Sequence, residues 1–493
     1  MVRKIVDKYR NLPIQVRASF WFLICSFLQR GISVITTPIF TRILTASEYG
    51  DYNVFNSWLG IITIFTSLRL YYGVYSQGLV KFEKERDLFS SSMQGLLFSL
   101  VTAWTCIYLC FHQFFNRLFT LTTLQGLAMF AMIWATGAFN FWAAEQRVVF
   151  SYRKLVIVTI IVSLAKPVVS IVFILLSEDK VTARILGLMC VELMGYFWCF
   201  IIQMARGKKF FSAKYWKYAL LFNIPLVPHY LSQTVLNSAD RIMIRDMIGS
   251  AQAGIYALAY SISQIMMLFN QALIQTLTPW IYQKIKADRP DEVPRIGYIA
   301  LILIGFVNLI LIILAPEIVA VFAPKAYYDA IWIIPPVALS GLFVFAYNLF
   351  AAFEFYFEKT KFIMVASVAG AVLNVILNYF FIKIFGYYAA GYTTLFCYII
   401  YALGHYVNMR KICDDNFKGR KIYDTKILAA IAAVFLTVGS VFLMLYNFRV
   451  IRYGVVLAGV TAIVVYRRKI LLILRQILSL RKRKETDEQK DAT

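Results

Sequence analysis

Charge is scarce in this chain of 493 residues: Asp, Glu, Lys and Arg together make up 15% of it, and histidine occurs three times. An ordinary soluble domain is about one-quarter charged. Too few polar side chains are present to cover the surface of a water-soluble fold, which excludes soluble enzymes, secreted proteins and DNA-binding proteins. Cysteine forms no pattern. Cys25, Cys106, Cys110, Cys190, Cys199, Cys397 and Cys413 show no CxxC pair and no Cys/His ligand spacing, and all but Cys413 lie in apolar stretches. They read as small packing residues, with neither metal nor disulfide implied. The nucleophile elbow, the phosphate-cradling glycine loop and HExxH are likewise missing. No catalytic residue and no cofactor is expected.

What the chain has is apolar length. Hydrophobic residues are 60% of it and aromatics 16%, with a mean hydropathy of +0.68. A helix crosses the hydrocarbon core with about 20 apolar residues, and fourteen such stretches can be placed. The reading is an all-α polytopic membrane protein. The basic start (Arg3, Lys4, Lys8, Arg10, Arg17) and the apolar run after it read as the first membrane helix. That run is too long for a signal peptide, carries Arg30 and has no small-residue cleavage site.

The net charge of +24 is mostly a topology signal. With both termini cytoplasmic, the inner connections hold the bulk of the lysines and arginines, as the positive-inside rule requires. No nucleic acid is needed to account for it. The chain also repeats: a shift of 204 residues lays Gly50-Asp51-Tyr52 on Gly254-Ile255-Tyr256 and Gly187 on Gly391. That offset maps helices 1–6 onto 7–12. It gives a first six-helix lobe over 1–205, a second over 206–410, two further helices over 411–474 and a basic tail over 475–493. Repeats of this kind mark transporters, with the substrate site between the halves.

A charge inside the bilayer is costly unless it faces water or a partner. Arg30 falls mid-way along helix 1, Arg69 in the inner half of helix 2, and Lys166 before Pro167 in helix 5. Arg30 and Arg69 have no acid at matching depth and read as lining a cationic cavity. Lys166 either joins them or is neutralised by Glu192 of helix 6. An arginine fork suits phosphate oxygens, whereas a drug cation would need buried carboxylates.

Helix 7 carries Pro225 and Pro228, three apart, which free backbone carbonyls and form either a gating hinge or a fixed kink. His229 beside them either lines the cavity, where it or Glu192 could couple transport to H+ or Na+, or satisfies a freed carbonyl. Asp240 and Arg241, near the outer end, read as a local ion pair. Asn374 and Asn378 share a face of helix 11 and bond neighbouring helices.

Several of these segments resemble one family. Ile224-Pro225-Leu226-Val227-Pro228-His229-Tyr230-Leu231-Ser232 with Asn237-Ser238-Ala239-Asp240-Arg241 is similar to helix 7 of Wzx-type polysaccharide flippases. Thr37-Pro38-Ile39-Phe40-Thr41-Arg42-Ile43-Leu44 with Glu48-Tyr49-Gly50, and Leu373-Asn374-Val375-Ile376-Leu377-Asn378 with Phe385-Gly386, resemble its helix 1–2 and helix 11–12 regions. The resemblance implies two six-helix lobes around a central cavity in a bacterial cytoplasmic membrane. It implies movement of undecaprenyl-diphosphate-linked oligosaccharide repeat units from the inner to the outer leaflet for capsule, O-antigen or exopolysaccharide assembly. A glycan polymerase and other assembly proteins would be partners. A multidrug or small-solute antiporter of the same superfamily and a membrane glycosyltransferase or glycan polymerase are the alternatives.

Overall fold

The computed structural model describes residues 14–417, 419–420 and 422–465; Arg3, Lys4, Lys8 and Arg10 of the basic start and the tail over 475–493 lie outside them. Regular structure among these residues is helical throughout. Among the described residues ten helices are long and apolar enough to cross a membrane, against fourteen expected from the whole sequence. Of the other four, the expected helices 2 and 7 are each broken, helix 12 (Ala389–Asn416) is long but not among the ten, and the last, Arg449–Val465, is short within the described residues.

Two compact units divide after Gly254. In the first, α1 (Ile14–Ile43), α2 (Ala46–Ser67), α3 (Gly73–Lys81), α4 (Arg86–Cys110), α5 (His112–Phe119), α6 (Thr123–Val148), α7 (Tyr152–Leu175), α8 (Lys180–Gly207), α9 (Ala213–Asn223) and α10 (Val227–Met247) follow in order. Two starts are fixed by capping boxes. Thr45 and Glu48 bond reciprocally at α2, and Thr122 and Gln125 do so at α6, satisfying amide donors that the first turn leaves open.

α7 shows what the apolar composition is for. Ile157, Ile161, Leu164, Val168, Val172 and Leu175 are exposed along one stripe at helical spacing, while Leu155, Val162 and Ile174 are buried. A continuous exposed apolar stripe is at home against lipid and not against water. The chain is a multi-pass membrane protein. Pro167 interrupts no helix: α7 runs through it.

The second unit begins within α11 (Ser250–Lys286) and continues with α12 (Val293–Ile313), α13 (Ala315–Phe322), α14 (Ile334–Tyr356), α15 (Thr360–Phe385), α16 (Ala389–Asn416), α17 (Thr425–Met444) and α18 (Arg449–Val465). Asn374 and Asn378 are buried, as expected of residues that tie helices together. Asn378 donates to Asn374 at 3.2 Å, and Asn374 donates to Thr394 of α16 at 3.3 Å.

The 204-residue offset is legible in the element boundaries: α2 begins at Ala46 and α11 at Ser250. The pattern Ala46-x3-Gly50 returns as Ser250-x3-Gly254, and the two stretches touch reciprocally. A Cβ on Gly50 would lie 1.9 Å from the Ser250 carbonyl oxygen, and one on Gly254 would lie 2.1 Å from that of Ala46. Small residues four apart permit this close backbone approach.

Candidate functional site

Arg69 does not lie inside a continuous helix. α2 stops at Ser67, and α3 starts at Gly73. Between them Leu68 (φ 48°) and Arg69 (φ 47°) are left-handed, a conformation that costs a non-glycine residue roughly 1–2 kcal/mol. The apolar run over 53–79 conceals this break, because neither Leu68 nor Arg69 is a glycine or proline.

The break is held from several sides. The Arg69 amide donates to the Ser67 hydroxyl at 3.2 Å. The Leu68 carbonyl accepts from Asn223 Nδ2 at 2.6 Å. Asn223 is the last residue of α9 and is fully buried. Directly after it the chain turns through a 3-10 segment, Ile224–Leu226, before α10 begins at Val227. Pro225 and Pro228 are the reason: each lacks an amide proton, so neither can continue the α-helical ladder. Two interrupted helices thus meet where they are interrupted, and α2 packs along α10.

Beside this junction the Arg69 guanidinium donates to Thr234 Oγ1 at 3.4 Å and lies 5.5 Å from the centre of the Tyr230 ring. Tyr72 meets Tyr230 edge to face at 6.1 Å and is 63% exposed. His229, half-buried, adjoins with its ring 6.0 Å from that of Tyr230. Arg69 is paired with no carboxylate among the described residues. The cluster therefore offers a cation with free donors and two tyrosine faces, a combination suited to a phosphate and an adjoining sugar ring.

Lys166 forms a separate cluster. Its Nζ lies 2.6 Å from Glu192 Oε1, Thr136 donates to Glu192 Oε2 at 3.0 Å, and the Tyr196 ring is 5.8 Å from the ammonium. Of the two roles open to Lys166, the neutralised pair is the one observed here. Arg30 belongs to α1, but its side chain lies outside the described set. Asp240 and Arg241 lie within α10, which runs on to Met247. Asp240 is 1% exposed. Asp51 ties the end of α10, accepting from Arg245 at 3.5 Å and from Ser250 at 2.5 Å.

Other buried charges were not singled out from the sequence. Arg184 is sandwiched with its guanidinium carbon 3.7 Å from the Phe40 ring and 3.4 Å from the Tyr52 ring. Glu145 accepts twice from Arg206 at 2.8 Å and is bonded to Gln203, itself tied to Gln94 and Tyr75. These sit near helix ends, where a hydropathy window counts them as loop.

Comparison with known proteins gives the class first. The fold is that of the MOP-superfamily transporters. An inward-facing multidrug resistance MATE family transporter superposes with a TM-score of 0.62 at 13% identity, covering 81% of this chain and 96% of that one. The lipid II flippase MurJ in an inward closed conformation superposes at 0.61 and 16% identity, covering 91% and 99%. A family described as polysaccharide biosynthesis protein matches residues 16–285, and MatE matches 225–380. The chain belongs to the polysaccharide biosynthesis protein family. It is 24% identical over 211 residues to protein 1 of the Lsg locus of Haemophilus influenzae, 40% of this chain and 51% of that protein. The match thus spans about half the length of that relative. An uncharacterized membrane protein of the same organism is 20% identical over 377 residues, 73% and 88% of the two chains.

Proposed function

We propose that the chain is a flippase that carries a lipid-linked oligosaccharide, joined through a diphosphate to a polyprenyl chain such as undecaprenol, across the bacterial cytoplasmic membrane by alternating access. Membership of a polysaccharide biosynthesis family supports the substrate class. The single observation that carries the reading is Arg69: a cation without a carboxylate partner among the described residues, placed by two broken helices beside Tyr72 and Tyr230.

In this reading Arg69 and Arg30 hold the diphosphate, and the tyrosine faces meet the first sugar. The lipid tail stays in the bilayer. Lys166 is the third basic group of the first lobe, and its bond to Glu192 must open before it reaches an anion. Glu192 and His229 are the groups through which H+ or Na+ could drive the cycle, and the breaks at 68–72 and at Pro225–Pro228 supply its hinges. Compensating the dianion lowers the cost of its passage through a low dielectric. The lobes over 1–205 and 206–410, with helices over 411–474 beside them and both termini cytoplasmic, complete the proposal. A glycan polymerase is the expected next partner.

The test is a deletion strain re-expressing wild-type, Arg69→Ala or Arg30→Ala protein, with surface glycan and lipid-linked saccharide measured in each. The reading requires loss of surface glycan with complete lipid-linked units retained on the cytoplasmic face, in the deletion and in Arg69→Ala alike. Unchanged glycan in the deletion would turn the assignment to antiport of a small solute. Unpolymerised units on the outer face would turn it to a polymerase.

A further inference from the structure

The connection from α8 to α9 is fastened to α4 along its length. Lys208 ends α8 in a left-handed cap (φ 50°), which turns the chain across the start of α4. The Lys209 amide then donates to Ser91 Oγ at 3.3 Å, and Trp216 Nε1 donates to the Ser92 carbonyl at 2.9 Å. The main chains also approach closely. A Cβ on Gly207 would lie 2.0 Å from the Asp87 carbonyl oxygen, and one on Gly95 would lie 2.1 Å from that of Phe210. A connection held in this way by its backbone displays its side chains at fixed places.

What it displays is cationic and apolar together. The run from Lys208 to Lys217 holds four lysines and no acid. The acids nearby are already engaged: Glu85 pairs with Lys214 at 2.7 Å, and Asp87 with Arg206 at 3.6 Å. Lys208 and Lys209 are exposed, and neither is paired with a carboxylate among the described residues. Phe210 follows them directly, 41% exposed, with its ring 6.2 Å from that of Phe98 in α4. Phe98, also 41% exposed, lies 5.9 Å from Phe200 of α8. Trp134 of α6 backs both rings, at 6.1 and 5.4 Å. Phe197, about one turn further along α8 from the connection, is 48% exposed. Two free ammonium groups thus stand at the head of an aromatic strip that runs down two membrane-spanning helices.

This order of groups selects among occupants. An acidic soluble protein would meet the lysines and leave the strip bare. A neutral phospholipid would cover the strip and bring no net charge to the lysines. A lipid with a net negative headgroup satisfies both, because lysines near a bilayer surface attract anionic lipid and their aliphatic stems lie comfortably against apolar surface.

We propose that this face of the first unit binds an anionic phospholipid, with the headgroup on Lys208 and Lys209 and an acyl chain along Phe210, Phe98 and Phe200. The proposal rests on the place of the chain in a membrane and not on the flippase reading.

The test uses full-length protein in phosphatidylcholine vesicles that contain a trace of phosphatidylglycerol with a photoreactive diazirine on its acyl chain. After irradiation the cross-linked peptides are identified and quantified. Cross-links are expected on α4 around Phe98 and on α8 around Phe197 and Phe200, and a phosphatidylcholine analogue with the same chain should give several-fold fewer there. Lys208→Gln and Lys209→Gln should each lower labelling by phosphatidylglycerol about five-fold and leave labelling by phosphatidylcholine unchanged. Both side chains are exposed, so neither substitution disturbs packing. Raised salt should act on the wild type in the same direction. Phe98→Ala with Phe210→Ala should weaken labelling by both lipids alike. Equal labelling of wild type by the two analogues, or a preference for phosphatidylglycerol that survives loss of both lysines, would overturn the proposal. No transport is measured, so its failure would leave the flippase reading untouched.

Discussion

Asn223 donates to the carbonyl of Leu68 at 2.6 Å, and through this bond the last residue of α9 closes the end of a different broken helix. Leu68 is the left-handed cap of α2. The bond answers a carbonyl that a regular helix would have used itself.

Loss of this donor leaves a buried carbonyl unsatisfied, which costs about 1–3 kcal/mol. Asn223→Ala should lower the melting temperature of the purified protein. Asn223→Asp should lower it further at neutral pH, because a carboxylate then faces the carbonyl. A wild-type melting curve for both would show that the two breaks are held by other contacts.

Arg69 combines an unusual backbone with a functional side chain, and three substitutions separate them. Arg69→Lys keeps a charge but loses the planar fork, so export should fall between wild type and Arg69→Ala. Arg69→Gly suits a φ of 47° and should melt higher than Arg69→Ala by about 0.4–1 kcal/mol, while exporting as poorly. Equal export by Lys and Ala variants would mean that the charge is not what the substrate meets.

Lys166 and Glu192 should behave as one unit. The Glu192 side chain is 8% exposed against 30% for Lys166, so removing either leaves the other a poorly solvated charge. Breaking a buried pair costs about 3–5 kcal/mol, and Glu192→Ala should approach the lower end of that range, reduced by the partial exposure of Lys166. The double variant Lys166→Met with Glu192→Leu should be less destabilised than the sum of its singles in thermal unfolding. Additive losses would dissolve the pair.

At the α2–α11 crossing a methyl group has nowhere to go. Gly50→Ala or Gly254→Ala sets a Cβ against a backbone oxygen, and overpacking of this kind costs typically 1–3 kcal/mol. Gly31→Ala is the control, with nothing within 4 Å of its Cβ. Expression level and melting temperature should fall for the first two and hold for the third.

Much of the fold was legible because lipid imposes length. The apolar stretches and the tie from Asn374 to the neighbouring helix follow from hydropathy and spacing. Pro225 and Pro228 announced their break, since proline acts on the backbone locally. The break at Leu68–Arg69 left no such trace, because no glycine or proline marks it and its left-handed residues are supported by Asn223, 155 positions away. The Lys166–Glu192 pair could be suspected from depth alone, but choosing between pairing and exposure required the positions of Thr136 and Tyr196. Glu354 of α14 escaped notice for a different reason: it falls just past the apolar window, where a charged residue looks solvated until α16 brings His405 and Asn408 over it.

The contact between Gly50 and Gly254 bears on how such a chain arises. If one six-helix segment was duplicated, both sides of this crossing came into being in a single event, already complementary. Later divergence could then rewrite nearly every residue of the two copies independently, but not these two. A side chain acquired in either copy has no compensating change available in the other, because what it strikes is main chain.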